Sequence, residues 1–161
     1  MNAEAAAAYI GLGANLGDPA VALDSAIVAL HGIAATEVAR ISGRYRSASI
    51  GATGPDYLNA VVELRTSLAP HALLGELQRI EAAHGRERSH RNAPRTLDLD
   101  LLLYADRRIA TDELTLPHPR LHERAFVLLP LAEIAPGLVV PGRGAIVDLL
   151  RAVAGQRIDK L

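Results

Sequence analysis

The chain has 161 residues, half of them hydrophobic, with 17 basic against 18 acidic side chains, a net charge of −1 and no cysteine. That length suits one α+β domain spanning 1–161, able to bury about two thirds of its unfolded surface. The charge balance gives no field to draw the chain to nucleic acid or membrane, and without cysteine there are no disulfides, thiolate metal sites or thiol nucleophiles.

Met1 to Ala8 carries Glu4 and has neither a basic leader nor a long apolar run. No stretch has the apolar length that crosses a bilayer, so the expected location is the cytoplasm. Tyr9 to Gly13 reads as a short buried strand ending in glycine, closing in a tight turn with Asn15 as a polar contact. Asp18-Pro19 supplies an N-cap acid and a proline at the first helical position. Leu23, Ile27 and Leu30 then fall at helical spacing, predicting a helix to about Ala34.

Two extended segments follow, Glu37 to about Ser49 and Tyr57 to Thr66. The second carries Leu58, Ala60, Val62 and Leu64 on one face. Between them lies the breaker-rich stretch Gly51-Ala52-Thr53-Gly54-Pro55-Asp56, too long for a tight hairpin. Pro70 opens a second helix that turns Leu73, Leu74, Leu77 and Ile80 inward and stops at Gly85. Thr96 to Tyr104 reads as another strand. The order strand, helix, strand, strand, helix, strand predicts a ferredoxin-like antiparallel sheet with helices packed on it. The remainder, Asp106 to Leu161, is an elaboration with helices around Phe126 to Ile134 and Ile146 to Val153.

Chemistry concentrates in Thr96-Leu97-Asp98-Leu99-Asp100-Leu101. In a strand, Asp98 and Asp100 share one face, their α-carbons about 6.5 to 7 Å apart, while the leucines face the core. Two like charges at neighbouring positions of one face repel, which favours a cation between them. Before them, Arg86, Arg88, Arg91 and Arg95 punctuate a segment with glycine, serine, asparagine and proline. Guanidinium forks beside a paired acid site suit a magnesium triphosphate. Tyr57 and Asn59, on one strand face at the mouth of a long loop, could hold a flat heterocycle by its plane and its polar edge. No phosphate-cradling glycine motif accompanies these features; Gly11-Leu12-Gly13 lacks both the spacing and the following parallel strand of a dinucleotide fold.

Five segments occur together in order: Tyr9-Ile10-Gly11-Leu12-Gly13-Ala14-Asn15-Leu16-Gly17; Pro55-Asp56-Tyr57-Leu58-Asn59-Ala60; Pro94-Arg95-Thr96-Leu97-Asp98-Leu99-Asp100; Leu116-Pro117-His118-Pro119-Arg120 with Arg124 and Phe126; and Pro130-Leu131-Ala132-Glu133-Ile134-Ala135-Pro136. Through them the chain resembles 6-hydroxymethyl-7,8-dihydropterin pyrophosphokinases over nearly its whole length. The resemblance implies a monomeric, three-layer ferredoxin-like fold that moves the two terminal phosphates of ATP onto a pterin hydroxymethyl group, releasing AMP. It implies that Asp98 and Asp100 hold two Mg²⁺ ions and act in catalysis with Arg86 and Arg95.

By the same resemblance ATP meets Gln78, Glu81, Arg86, Arg88, Arg95, Thr115, His118 and Arg124. The pterin stacks between Tyr57 and Phe126, with Asn59 at its edge and Ser47, Ala48 and Ile50 completing the pocket. The segments Ser47 to Asp56 and Arg86 to Arg95 would act as lids. The chain departs from the family pattern at Asn92-Ala93, Glu113 and Pro119. Two other classes fit the bare residues less well. A nucleotide-binding regulatory module would have no use for the acid pair, and a two-metal nuclease would call for a basic surface.

Overall fold

The computed structural model describes residues 5–48, 55–85 and 97–161. The elements run β1 (Ala6–Ala14), α1 (Pro19–His31), β2 (Thr36–Ile41), β3 (Tyr45–Ser47), β4 (Tyr57–Thr66), α2 (Pro70–Gly85) and β5 (Asp98–Tyr104). After them come a small hairpin, β6 (Ile109–Ala110) with β7 (Thr115–Leu116), and α3 (Ala125–Ile134). A second hairpin, β8 (Val139–Val140) with β9 (Gly144–Ala145), leads to α4 (Ile146–Ala152) and β10 (Ile158–Lys160).

The main sheet has the order β10-β3-β4-β1-β5, with β2 also pairing β4, and every pairing in it is antiparallel. The expected ferredoxin-like order is therefore present. The predicted Glu37 to Ser49 segment divides in two, because the chain bends at residues 42–44. Ser42 keeps the ladder intact across the bend: its hydroxyl accepts from the Val61 N–H at 2.9 Å and its own N–H donates to the Val61 carbonyl. β10 also joins the sheet. Three residues of Ile-Asp-Lys carry too little pattern to announce a strand.

Period-two alternation sorts the side chains into two cores. On one face Ala8, Ile10, Leu12, Ala60, Val62, Leu64, Leu99 and Leu101 pack against Leu23, Ile27 and Leu30 of α1 and Leu73, Leu77 and Ile80 of α2. On the other, Tyr9, Val61, Leu102 and Leu103 pack against Val127, Leu128, Leu131 and Ile134 of α3 and Ile146 of α4. The result is helices, sheet and helices in three layers. Each fully buried leucine is worth roughly 1.5–3 kcal/mol of removed apolar surface, so the two cores hold the sheet rigid from both sides.

α1 begins as its sequence predicts: the Asp18 side chain accepts from the Val21 N–H and Pro19 opens the helix. The register of β1 against β5 shifts between Tyr9 and Ile10, which pair Leu103 and Leu101. The bulge lets Leu102 and Leu103 both face α3.

Candidate active site

The face that β1 turns towards α3 bears no side chain at Gly11 or Gly13. Gly13 sits between Asn59 on β4 and Asp98 on β5, and Gly11 between Val61 and Asp100. A Cβ on Gly13 would lie 3.5 Å from Asn59 Oδ1 and 3.8 Å from Tyr57 Cδ1; one on Gly11 would touch Leu102 at 3.4 Å. These glycines are thus the floor of a trough whose walls are neighbouring strands. The tight-turn reading of the segment is corrected in one respect. Both glycines lie inside β1, and the turn is made by Gly17, whose φ of +64° is the left-handed geometry that glycine adopts freely.

The trough is a cavity of about 320 Å³, lined among others by Asn15, Ser47, Tyr57, Asn59, Asp98 and Asp100, with Arg124 and Phe126 at the start of α3. Ala48 also lines it. Asn59 is buried, and its amide nitrogen donates to Ser47 Oγ at 2.7 Å. That leaves Oδ1 over the Gly13 floor, an acceptor facing the cavity. Tyr57 and Phe126 are both partly exposed, as rings awaiting a partner would be. The Arg124 guanidinium lies 5.4 Å from the Phe126 ring centroid, fixing cation and ring together. Asn15 donates to the Pro55 carbonyl at 3.3 Å and ties the end of β1 to the entry of β4.

Asp98 and Asp100 are half-buried on one face of β5, alternating with buried Leu97, Leu99 and Leu101. β5 is the edge strand, so Leu99 turns its N–H away from β1; Glu81 Oε2 of α2 accepts from it at 2.8 Å. Glu81, expected beside ATP, thus also holds the acidic strand in place.

Asp100 borders a second cavity of about 230 Å³ as well, with Leu74, Glu113, Thr115, His118 and Pro119. There His118 donates its backbone N–H to the Leu102 carbonyl, and its Nδ1 accepts from the Arg120 N–H. Burial pushes the imidazole pKa down, Asp100 opposes this, and Arg124 and Arg120 add to the lowering, so His118 is held towards its neutral form.

Of the residues picked out from sequence, the structure gathers Ser47, Ala48, Tyr57, Asn59, Asp98, Asp100, Arg124 and Phe126 around the first cavity, and Thr115 and His118 around the second. Gln78 is exposed on α2 and lines neither. Ile50, Arg86, Arg88 and Arg95 lie outside the described residues, with residues 49–54 of one proposed lid segment and all of the other, Arg86 to Arg95. Gly11 and Gly13 as the floor, and Val127 beside Phe126, were not anticipated. Two glycines at i and i+2 in an otherwise apolar strand were the available signal, since they empty one face only.

No three His, Asp or Glu side chains among the described residues cluster in a way that could hold a metal unaided. Two half-buried carboxylates still fit Mg²⁺, which keeps several waters and is held by one or two acids plus substrate phosphates. Among the described residues no helix is long and apolar enough to cross a membrane.

A sequence model of the family described as 7,8-dihydro-6-hydroxymethylpterin-pyrophosphokinase matches residues 9–136. The 2-amino-4-hydroxy-6-hydroxymethyldihydropteridine pyrophosphokinase of Haemophilus influenzae is 44% identical over 96% of this chain and 97% of its own length. The protein of the same name from Synechocystis is 48% identical over 91% of this chain and 75% of its own. Among solved structures, an HPPK-DHPS in complex with substrates superposes with a TM-score of 0.74 at 13% identity, covering 93% of this chain and 43% of that one. At that identity the likeness concerns the fold, and this chain spans less than half of that protein.

Proposed function

The chain belongs to the 7,8-dihydro-6-hydroxymethylpterin-pyrophosphokinase family, and we propose that its glycine-floored cleft binds the pterin while the Asp100 side of that cleft receives ATP. The reaction is transfer of pyrophosphate from ATP to the hydroxymethyl group of the dihydropterin, a step of folate biosynthesis. The observation that carries the assignment is the shared border. Asp100 lines both the cavity with Tyr57, Asn59 and Phe126 and the cavity with Thr115 and His118. Two substrates seated in those cavities would meet at the acid pair.

In this reading Tyr57 and Phe126 hold the flat ring between them, and Asn59 Oδ1 accepts from a donor on its edge. Asp98 and Asp100 would hold two Mg²⁺ ions; when bound, Mg²⁺ neutralises phosphate charge and makes the hydroxymethyl oxygen a better nucleophile. Arg124, fixed over Phe126, stands at the cleft and can pair with phosphate oxygens as charge builds. His118, held towards its neutral form with Nδ1 accepting from the Arg120 N–H, keeps its proton on Nε2 and can donate it to a phosphate oxygen without adding a further cation. The acids, ring clamp and cation are set before the substrates arrive, so catalysis is mainly positioning and electrostatics. Arg86, Arg88 and Arg95 complete the phosphate site in the same reading, with the protein acting as a cytoplasmic monomer of one domain.

The test is product identity. Incubated with ATP, Mg²⁺ and hydroxymethyl-dihydropterin, the protein should release AMP and the pterin pyrophosphate, and removal of Mg²⁺ by EDTA should stop the reaction. Release of ADP, or nucleotide turnover indifferent to the pterin, would sink it.

A further inference from the structure

The segment Pro130 to Pro136 includes an acid that the cleft itself does not use. Glu133 and Phe126 are seven residues apart on α3, two helical turns, so they share one side of the helix. From that side the Glu133 carboxylate reaches across to the strand opposite. Its Oε1 accepts from Tyr45 Oη at 2.6 Å, and its Oε2 accepts from the Gly43 N–H at 2.9 Å. Lys160 Nζ of β10 stands 3.4 Å from Oε1 and 5.9 Å from the Tyr45 ring centroid. Gly43 permits this approach, since a Cβ there would come within 3.0 Å of Lys160 Cε.

The strand so gripped is β3, only three residues long. It pairs Tyr45 with Asn59 and Ser47 with Tyr57, and β10 pairs its other edge. Asn59 Nδ2 donates to Ser47 Oγ at 2.7 Å and reaches the Tyr45 carbonyl at 3.5 Å. An amide can present oxygen or nitrogen to a ligand by a half-turn, and only its partners decide which. Here the Tyr45 carbonyl, which can only accept, takes the nitrogen and the Ser47 hydroxyl accepts beside it, so the oxygen meets the cleft.

We infer that Glu133 is a positioning residue for the pterin cleft, acting through Tyr45 and Ser47 to fix the distance between β3 and the helix bearing Phe126 and to hold the Asn59 amide oxygen towards the ligand. The inference rests on the reading that this cleft takes the pterin. Hydroxymethyl-dihydropterin should therefore feel the loss of Glu133, although it touches none of that side chain. ATP, on the far side of Asp100, should not.

The experiment is steady-state kinetics with each substrate varied in turn, on Glu133→Gln, Tyr45→Phe, Ser47→Ala, Ser47→Thr and Asn59→Ala, beside thermal unfolding of each. Tyr45→Phe, Glu133→Gln and Ser47→Ala should each raise the pterin KM about fivefold to tenfold, the equivalent of one hydrogen bond's worth of positioning, with the ATP KM within about twofold of wild type. Ser47→Thr keeps the hydroxyl and, although its methyl enters the cleft, should raise the pterin KM less than Ser47→Ala does. Glu133→Gln combined with Tyr45→Phe should cost little more than either alone, since both cut one link.

A fall in melting temperature with an unchanged pterin KM overturns the proposal, as does an equal rise in both KM values. If Glu133→Gln does not fold, Tyr45→Phe decides, because it removes one oxygen and keeps the ring. An Asn59→Ala protein with normal pterin affinity would instead overturn the placement of the pterin, and the inference with it. A defective Asn59→Ala beside normal Tyr45→Phe and Ser47→Ala sinks the relay alone.

Discussion

The two faces of the central sheet are made from the same three strands and end differently. Towards α1 and α2, alternate residues of β1, β4 and β5 form a continuous apolar layer, with Ile10, Leu12, Val62, Leu64, Leu99 and Leu101 all buried. Towards α3 the intervening residues do this at one end only, where Tyr9, Val61, Leu102 and Leu103 are covered. At the other end the same strands offer Gly11, Gly13, Tyr57, Asn59, Asp98 and Asp100, and a cleft stands there instead of a core. Among the described residues the hollow is made by the strands and the start of α3. It follows from leaving out two side chains and placing polar ones beside the gap, on a backbone held flat by the filled face behind it. Fold stability and site chemistry should accordingly be separable by residue, even between neighbours on one strand.

The largest effect expected from that separation is at Asp100. Asp100→Ala should lower kcat by about 10³-fold or more, several kcal/mol of lost charge stabilisation, while far-ultraviolet circular dichroism and the melting temperature stay at wild-type values or rise as like-charge repulsion is relieved. Asp98→Ala should behave alike. A variant as active as wild type would remove the acids from the mechanism; one that unfolds would show that the acidic end is also structural.

The converse comes from the covered end. Leu131→Ala, buried against the sheet five residues beyond Phe126, should cost about 2–5 kcal/mol of stability by denaturant unfolding. Its kcat per folded molecule should remain near wild type at low temperature. A large kinetic defect in a fully folded Leu131→Ala protein would mean that the two ends of this face are coupled, against the comparison drawn here.

Much of this was legible in the amino-acid sequence, and the reasons differ by residue. Strands and helices with long apolar periods, such as Tyr57–Thr66 and Pro70–Gly85, fall where their patterns put them. So does Asp98-Leu99-Asp100, whose alternation places both acids on one face. What the pattern does not carry is partnership between distant segments. Nothing local in Gly11 or Gly13 says that Asn59 and Asp98 will flank them, and nothing in Glu133 points to Tyr45, 88 positions away. β10 is too short to have a period at all. The site residues expected only from the resemblance, such as Thr115 and Arg124, likewise depend on contacts that no local pattern encodes.

A smaller and more pointed test lies on the floor. Gly13→Ala adds one methyl directed between Asn59 and Tyr57 at 3.5 and 3.8 Å, ordinary contact distances that the fold can accept. Alanine also loses less backbone freedom on folding than glycine, so stability should be equal or slightly higher. The methyl does, however, occupy the trough, and the pterin KM should rise about tenfold, close to the 1.4 kcal/mol that separates a good fit from a crowded one. Unchanged pterin affinity in Gly13→Ala would mean that the floor is not where the ring lies.

The smallest effect concerns the Glu133 clamp and is read by pH. Burial alone pushes the Glu133 pKa up. The hydrogen bonds from Tyr45 Oη and the Gly43 N–H, together with Lys160, outweigh that and hold the carboxyl below its ordinary value of 4.5. A carboxyl whose pKa is lower folded than unfolded stabilises the fold above the unfolded value, and that contribution disappears as pH falls through the folded one. Wild type should therefore be modestly more stable than Glu133→Gln near pH 7 by urea unfolding. The gap should hold down to about pH 5 and close progressively below 4.5. Tyr45→Phe should narrow the wild-type advantage without abolishing it, because Gly43 and Lys160 still favour the charged form. A gap that widened as the solution became acidic would mean that Glu133 is protonated in the native protein, and the clamp would then have to work as a neutral donor rather than as an anion.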